Sequence, residues 1–312
     1  MVNLFKACSD ETRLRLLGIL DHGDFNVNEL VEIFQMGQSR ISRHLKILAD
    51  CSLVQSRREG NWIYYGLPQG NDTALHTDLR NLAVKVAASL PGYQTDLHHI
   101  ESVIQRRRNI SRHYFEKVGP KWEQLQRELL DSDYYREAAL AMLPKQAQTV
   151  IDLGVGAGLL LPQLATSFNE IIAVDSSQRM LKIATEFAAH SSPEVLQKCN
   201  FRLGELDHLP VQDGTVDAAI ALMVLHHVPK PVAAIAEIYR ILKPGGTFVF
   251  ADLHEHTYEE MRKKYADLWL GFSREELQKW MAQSGFQIES AEILKNGHTM
   301  EVLLFKTIKP MD

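Results

Sequence analysis

Asp152, Gly154, Gly156 and Gly158 fall in one short stretch, "VIDLGVGAG", where an apolar run meets glycines at every second position. Such a run reads as a buried strand feeding a tight turn, whose backbone N–H groups can come close to a nucleotide. Dinucleotide sites space their glycines G-x-G-x-x-G. Here the spacing is G-x-G-x-G, and Leu159 stands where that fingerprint has its third glycine. Asp152 sharpens the distinction, because a carboxylate ahead of the turn repels a pyrophosphate and attracts a cation. S-adenosylmethionine (SAM) carries a sulfonium and an ammonium and no phosphate, so this turn favours it over NAD or FAD.

Further on, "EIIAVD" ends in Asp175, 23 residues after Asp152. An acid there suits a two-point grip on ribose hydroxyls; dinucleotide folds use one too, so it supports a nucleoside without separating the two ligands. In "GELDHLP", Glu205 can accept from an adenine amino group while the Leu206 N–H donates to the ring. "ALMVLHHV" then puts His226 and His227 just past another apolar run, near where a methyl group would point. Transfer from a sulfonium is an in-line displacement of an activated group, so the protein chiefly supplies alignment. A base is required only where the acceptor must lose a proton. Either histidine can be that base; equally, the pair can close the pocket or orient a loop.

These residues need a scaffold that brings strand ends together. From residue 149 the runs "TVIDLG", "EIIAVD", "NFRLGE", "VDAAIALMVL" and "TFVFADL" alternate with the helical stretches "GLLLPQLATSF", "SQRMLKIATEFAAH" and "PVAAIAEIYRIL". That order calls for an α/β fold, a parallel sheet with helices on both faces and ligands beyond the carboxyl ends of the strands.

The first seventy residues follow another plan. "FKACSDETRLRLLGIL" has the apolar spacing of an amphipathic helix, with Leu14, Leu17, Ile19 and Leu20 on its inner side. "NVNELVEIF" is a second, short helix that Asn26 or Asn28 can cap. After a turn at Gly37, "QSRISRHLKIL" buries Ile41, Leu45 and Leu48 and leaves Gln38, Ser39, Arg40, Ser42, Arg43 and Lys46 outside. "LVQSRREGNWIYYGL" closes the module as a hairpin. Helix, helix–turn–helix, hairpin is the mainly α winged helix–turn–helix order. The outer face mixes side chains that pair with base edges and with phosphates. Arg57, Arg58 and Asn61 at the hairpin tip can reach the neighbouring DNA backbone or minor groove. A solvated face on a protein-binding module is the competing reading.

Residues 1–90 resemble the ArsR/SmtB family of bacterial repressors, through "FKACSDETRLRLLGIL", "QSRISRHLKIL" and "SLVQSRREGNWIYYGL". The resemblance implies a homodimer that leaves double-stranded operator DNA when an effector binds, often a metal held by cysteines of the second helix. "FNVNELVEIF" has no cysteine, so that metal site is absent and any effector acts elsewhere. Residues 112–312 are similar to class I SAM-dependent methyltransferases, near those of quinone biosynthesis and arsenite methylation. The shared pieces are "VIDLGVGAG", "IIAVDSSQRML", "LGELDHLPVQDGTVDAAIALMVLHHV" and "RILKPGGTFVFADL". This second resemblance implies a Rossmann-like sheet of about seven strands, the last of them antiparallel and supplied by "TMEVLLFKTIK" beside "FQIESAEIL". It also implies that Asp152, Gly154 and Gly156 hold the methionine end, with Gly158 completing the turn. Asp175 would take the ribose with Ser176 and Met180 alongside, Glu205 and Leu206 the adenine, and the Ala221–Leu222 backbone the amino group. Tyr114 would be a lid aromatic, and the product would be S-adenosylhomocysteine (SAH).

Between the two lie helical runs, "NDTALHTDLRNLAVKVAASL", able to pair two subunits, and "TDLHHIESVIQRRRNISRHYFEKVGPKWEQL". The expected division is therefore 1–90 for DNA binding and dimerisation, 91–125 for a connector and lid, and 126–312 for methyl transfer. Arg106–Arg108 read as a solvated helix face rather than a phosphate contact, and His98–His99 as surface residues rather than a metal pair. Net charge is −5, yet residues 1–68 balance eight basic against eight acidic residues. No long apolar run suggests a membrane span, and three scattered cysteines argue for a reducing cytoplasm.

A lone Cys199 speaks against arsenite as acceptor, and "ALMVLHHV" stands where a DNA base methyltransferase has its Pro-Pro-aromatic motif. Three functions remain. The chain can be a transcriptional regulator that also methylates a small molecule, a non-catalytic repressor that senses SAM or SAH, or an enzyme whose N-terminal module serves only to dimerise.

Overall fold

Asp10 breaks the first helical run in two. Its carboxylate accepts from the Arg13 N–H at 3.0 Å and caps α2 (Glu11–Leu20), leaving α1 (Val2–Ala7) as a separate turn. The structure, a computed structural model, describes residues 2–68, 73–119, 132–145, 147–295 and 300–311. It divides into two compact units, Met1–Arg107 and Arg108–Asp312. The division falls inside the expected connector, whose end at residue 125 lies outside the described residues.

In the first unit β1 (Phe25–Asn26) leads into α3 (Val27–Phe34). Asn26, not Asn28, caps α3: its side chain accepts from the Asn28 and Glu29 N–H groups, and Glu29 accepts from the Asn26 N–H at 2.9 Å. This reciprocal pair satisfies donors that a helix start otherwise strands. α4 (Gln38–Asp50) buries Ile41, Leu45 and Leu48, as its period requires. β2 (Gln55–Glu59) and β3 (Trp62–Gly66) form the hairpin, and β1 adds to β3 as a third antiparallel strand.

α5 (Ala74–Ala87) and α6 (Tyr93–Val118) follow. The start of α6 is pinned to α2, where Arg15 donates to both oxygens of Asp96 at 2.7 and 2.6 Å and the Tyr93 hydroxyl donates to the Gly18 carbonyl.

The arginine triplet is a solvated face only at Arg106, which is exposed and meets Glu32 at 2.7 Å. Arg107 departs from that reading: it is buried and donates to both Glu29 oxygens at 2.8 and 2.7 Å and to the Asp24 carbonyl, because the acid on α3 turns it inward. His98 is exposed, as expected, whereas His99 is half-buried and bonds the Ile33 carbonyl at 2.8 Å.

The second unit is built on a seven-stranded sheet. Its strands are β4 (Thr149–Leu153), β5 (Glu170–Asp175), β6 (Cys199–Leu203), β7 (Val216–Leu222), β8 (Leu242–Leu253), β9 (Gln287–Leu294) and β10 (Val302–Ile308). Their spatial order is β6-β5-β4-β7-β8-β10-β9. Every pairing from β6 to β8 is parallel, and β10 runs antiparallel between β8 and β9. That insertion is the one the methyltransferase resemblance implies.

Val150, Ile151 and Leu153 are all fully buried on consecutive or alternating positions, so both faces of β4 are covered. Among the described residues the unit also has helices α7 (Ser132–Met142), α8 (Leu161–Ser167), α9 (Gln178–Ser191), α10 (Pro193–Lys198), α11 (Pro231–Ile241), α12 (Glu260–Lys264) and α13 (Arg274–Gln283), besides the end of α6. Strand order reverses between β4 and β7, and a ligand crevice opens at such a switch point.

Candidate cofactor pocket and helix–turn–helix face

The pocket lies where the carboxyl ends of β4, β5 and β7 meet, and Asp152, Gly154, Gly156, Asp175, Ser176, Met180, Glu205, Leu206 and Leu222 all line it. Gly154 has φ +71°, and a Cβ there would stand 2.0 Å from Val224 Cγ2. No other residue fits. Gly158 does not line the pocket. Its φ is +81°, and a Cβ would press at 3.0–3.1 Å on Leu161 and Ala184, so its work is to let the turn pack on α9. Ala221 is buried within β7, one residue behind the lining Leu222.

Two buried carboxylates share this space. Asp175 accepts from the Gly156 N–H at 3.0 Å and the Ser177 N–H at 2.9 Å. Burial nevertheless pushes its carboxyl up to about 6, against those two bonds. Asp152 is pushed up to about 7, first by burial and then by Asp175, with Arg136 opposing. Arg136 and Tyr135, both on α7, line the same pocket. Neither was legible in the sequence, because an amphipathic helix upstream of the glycine turn carries no motif. Glu205 is engaged by Arg112 at 2.7 Å, and Asp207 by Arg108 at 2.5 Å, both from α6.

The lid aromatic differs from expectation. Phe115, not Tyr114, lines the pocket. Successive helical residues point about 100° apart, so one position decides which ring faces the ligand. Tyr114 packs edge-on to Phe115 at 5.4 Å, and burial raises its hydroxyl to about 12.

The two histidines have different surroundings. Both lie in a 3₁₀ turn, Leu225–His227, and both are buried. His226 is absent from the pocket lining, and its Nδ1 meets Asp252 Oδ1 at 2.7 Å. Asp252 also accepts from the Val224, Leu225 and Leu253 N–H groups, which fixes the turn. Burial alone would lower His226, but the Asp252 and Asp267 carboxylates outweigh it and raise the ring above its ordinary value. His227 lines the pocket edge-on to Phe115 at 4.9 Å. Burial, then the neighbouring His226, holds it well below the ordinary imidazole range. A neutral imidazole that resists protonation is a weak base. His227 thus lines the pocket beside Phe115, while His226 lies outside the lining against Asp252.

On the first unit, Gln38, Ser39, Arg40, Arg43 and Lys46 are exposed on α4, and Ser42 is half-buried. Arg58 and Asn61 are exposed on the hairpin. Arg57 departs from the reading as a DNA contact: its guanidinium meets Glu59 at 2.8 Å and Asp24 at 3.7 Å, and lies over the Tyr64 ring. Strand alternation turns it to the covered side of the hairpin.

Residues 151–250 match the family model of a methyltransferase domain, and residues 10–56 that of the arsR family of bacterial regulatory proteins. The chain is 34% identical over 150 residues to a malonyl-[acyl-carrier protein] O-methyltransferase of Marinomonas sp., covering 47% of this chain and 52% of that one. It is 36% identical over 120 residues to an arsenite methyltransferase of Halobacterium salinarum, covering 38% of this chain and 29% of that one. It thus spans about half, or less, of these curated relatives. Among solved structures, a geranyl diphosphate C-methyltransferase of Streptomyces coelicolor, crystallised with Mg2+, geranyl diphosphate and SAH, superposes with a TM-score of 0.50 at 15% identity. That match covers 57% of this chain and 79% of the other, and shows the fold. Residues 151–250 of the larger unit are thus similar to methyltransferase domains. No helix among the described residues is long and apolar enough to cross a membrane.

Proposed function

From an arsR-family helix–turn–helix segment joined to a methyltransferase domain, we propose a DNA-binding regulator whose larger unit binds SAM and methylates a small molecule. One observation carries the reading: a buried acid, Asp152, shares the pocket with a guanidinium, Arg136. SAM ends in an amino acid, so its carboxylate suits Arg136 while its ammonium and sulfonium suit Asp152. Asp175 takes the ribose hydroxyls, and Glu205 with the Leu206 N–H takes the adenine. Phe115, His227, Val228 and Pro229 supply a largely apolar wall, which favours an uncharged acceptor such as a phenol, a quinol precursor or a small thiol. Calorimetry on the full chain is expected to give SAM and SAH affinities in the micromolar range and none for NADH. Labelled methyl should then pass to one of those acceptors. Retention of NADH without SAM or SAH would overturn the cofactor.

A second reading, a non-catalytic SAM/SAH-responsive repressor, is favoured by α3, which has no cysteine to hold a metal effector. Exposed Leu75, Leu82 and Val86 on α5 support dimerisation, since they share one helical face at i, i+7 and i+11.

A further inference from the structure

Beside the pocket, His226, His227 and Asp267 bring one ligand atom each to within 4.8 Å of one another, and all three are buried. Neither oxygen of Asp267 has a hydrogen-bond partner among the described residues, although the side chain is only 1% exposed. An ionised carboxylate left so is costly, and such groups are ordinarily paired or bound to metal. What faces it is two imidazoles: His226 Nε2 and His227 Nδ1 each stand 3.9 Å from Asp267 Oδ1, and His227 Nδ1 also donates to the Ala266 carbonyl at 3.3 Å, a bond that metal ligation would replace. The 3.9 Å separation is too long for a hydrogen bond. It is close to the span of two ligands around one ion, since metal–nitrogen and metal–oxygen bonds of about 2.0–2.2 Å place ligand atoms roughly 3.3–4.2 Å apart.

His226 has the second-sphere partner that metal-bound histidines show. Its Nδ1–H is committed to Asp252 at 2.7 Å, which leaves Nε2 as the ring atom facing Asp267, where a metal ion would displace any proton. Asp252 is itself held by three backbone N–H donors. Asp267 is aimed by the preceding residue, Ala266, whose φ of +60° is unusual for a non-glycine.

We propose that His226, His227 and Asp267 form a binding site for one divalent transition metal ion, with Asp252 as the group that orients His226. Two imidazoles and one carboxylate leave coordination positions open and suit Zn2+, Fe2+ or Co2+ rather than Mg2+ or Ca2+, which prefer oxygen. The site stands on side-chain geometry alone and does not depend on methyl transfer.

The test is titration of the chelator-stripped full chain with Co2+, followed by visible absorption and by competition with Zn2+. One equivalent of Co2+ with d–d bands, displaced by one Zn2+, is expected. Asp267→Asn should weaken Co2+ by about 100-fold or more and Asp252→Asn by about 10–100-fold, with SAM affinity serving as the check that each variant is folded. Wild-type protein that binds no stoichiometric Co2+ or Zn2+ overturns the proposal, as does unchanged Co2+ affinity in Asp267→Asn. Should that variant fail to fold, His226→Gln is read by the same criterion. Because the readout is metal occupancy, loss of the site and loss of enzyme activity are distinguished.

Discussion

At the scale of single residues, burial sets the behaviour of the cofactor acids. The Asp152 carboxyl, raised from an ordinary 3.8 to about 7, favours its neutral form in the cofactor-free protein. Its contribution to stability is complete below about 4 and is lost as pH rises through about 7; Asp175, raised to about 6, adds to the lower part of that window. Thermal melts without cofactor should therefore show the larger unit losing stability from about pH 4 to about pH 7. The cation of SAM reverses the preference, so SAM affinity should climb by up to about tenfold per pH unit toward neutrality and level off near about pH 8. Asp152→Asn should flatten both profiles and weaken SAM by at least about tenfold. Profiles identical to wild type in that variant would remove Asp152 from the site.

At the scale of elements, the turn after β4 and the junction of α6 with α3 can be tested separately. Gly154→Ala meets both a positive φ and a 2.0 Å clash with Val224. It should cost about 2 kcal/mol or more of stability, with SAM binding lost by calorimetry before the domain unfolds; a variant that still binds SAM normally would contradict the close approach. Arg107 is buried against Glu29, whereas the Arg106–Glu32 pair is half exposed. Removing one partner of a buried pair strands the other charge and costs about 3–5 kcal/mol, while an exposed pair is worth under about 1 kcal/mol. Denaturation followed by circular dichroism should thus show Arg107→Ala as severe and Arg106→Ala as mild. Equal effects would mean that the capping box, not the ion pair, holds α3.

At the scale of the whole molecule, regulation by a nucleoside ligand has to be reciprocal. If SAM or SAH changes operator affinity, operator DNA must change SAM or SAH affinity by the same factor, typically about 5–150-fold. Fluorescence anisotropy at fixed salt measures one side and calorimetry the other. Arg40→Glu with Arg43→Glu should abolish retention of operator DNA while leaving SAM binding unchanged, since both arginines are exposed on α4. DNA affinity indifferent to both nucleosides would leave an enzyme with a separate DNA-binding unit. No DNA retained by the wild type would leave a dimerisation module.

Much of this was legible in the amino-acid order because it depends on near neighbours. Glycine spacing at 154–158, the acid ahead of it, the period of α4 and the hairpin around Gly60 are local backbone and burial patterns, whereas the antiparallel β10 was implied only by the family resemblance. Packing alone decided the rest. Which ring of Tyr114 and Phe115 faces the pocket, that Arg57 and Arg107 turn inward, and that Arg136 and Asp267 join a site are settled by partners far along the chain. A hydrogen bond or ion pair across such separations has no periodicity to betray it, since its geometry exists only once the sheet and helices have closed around it.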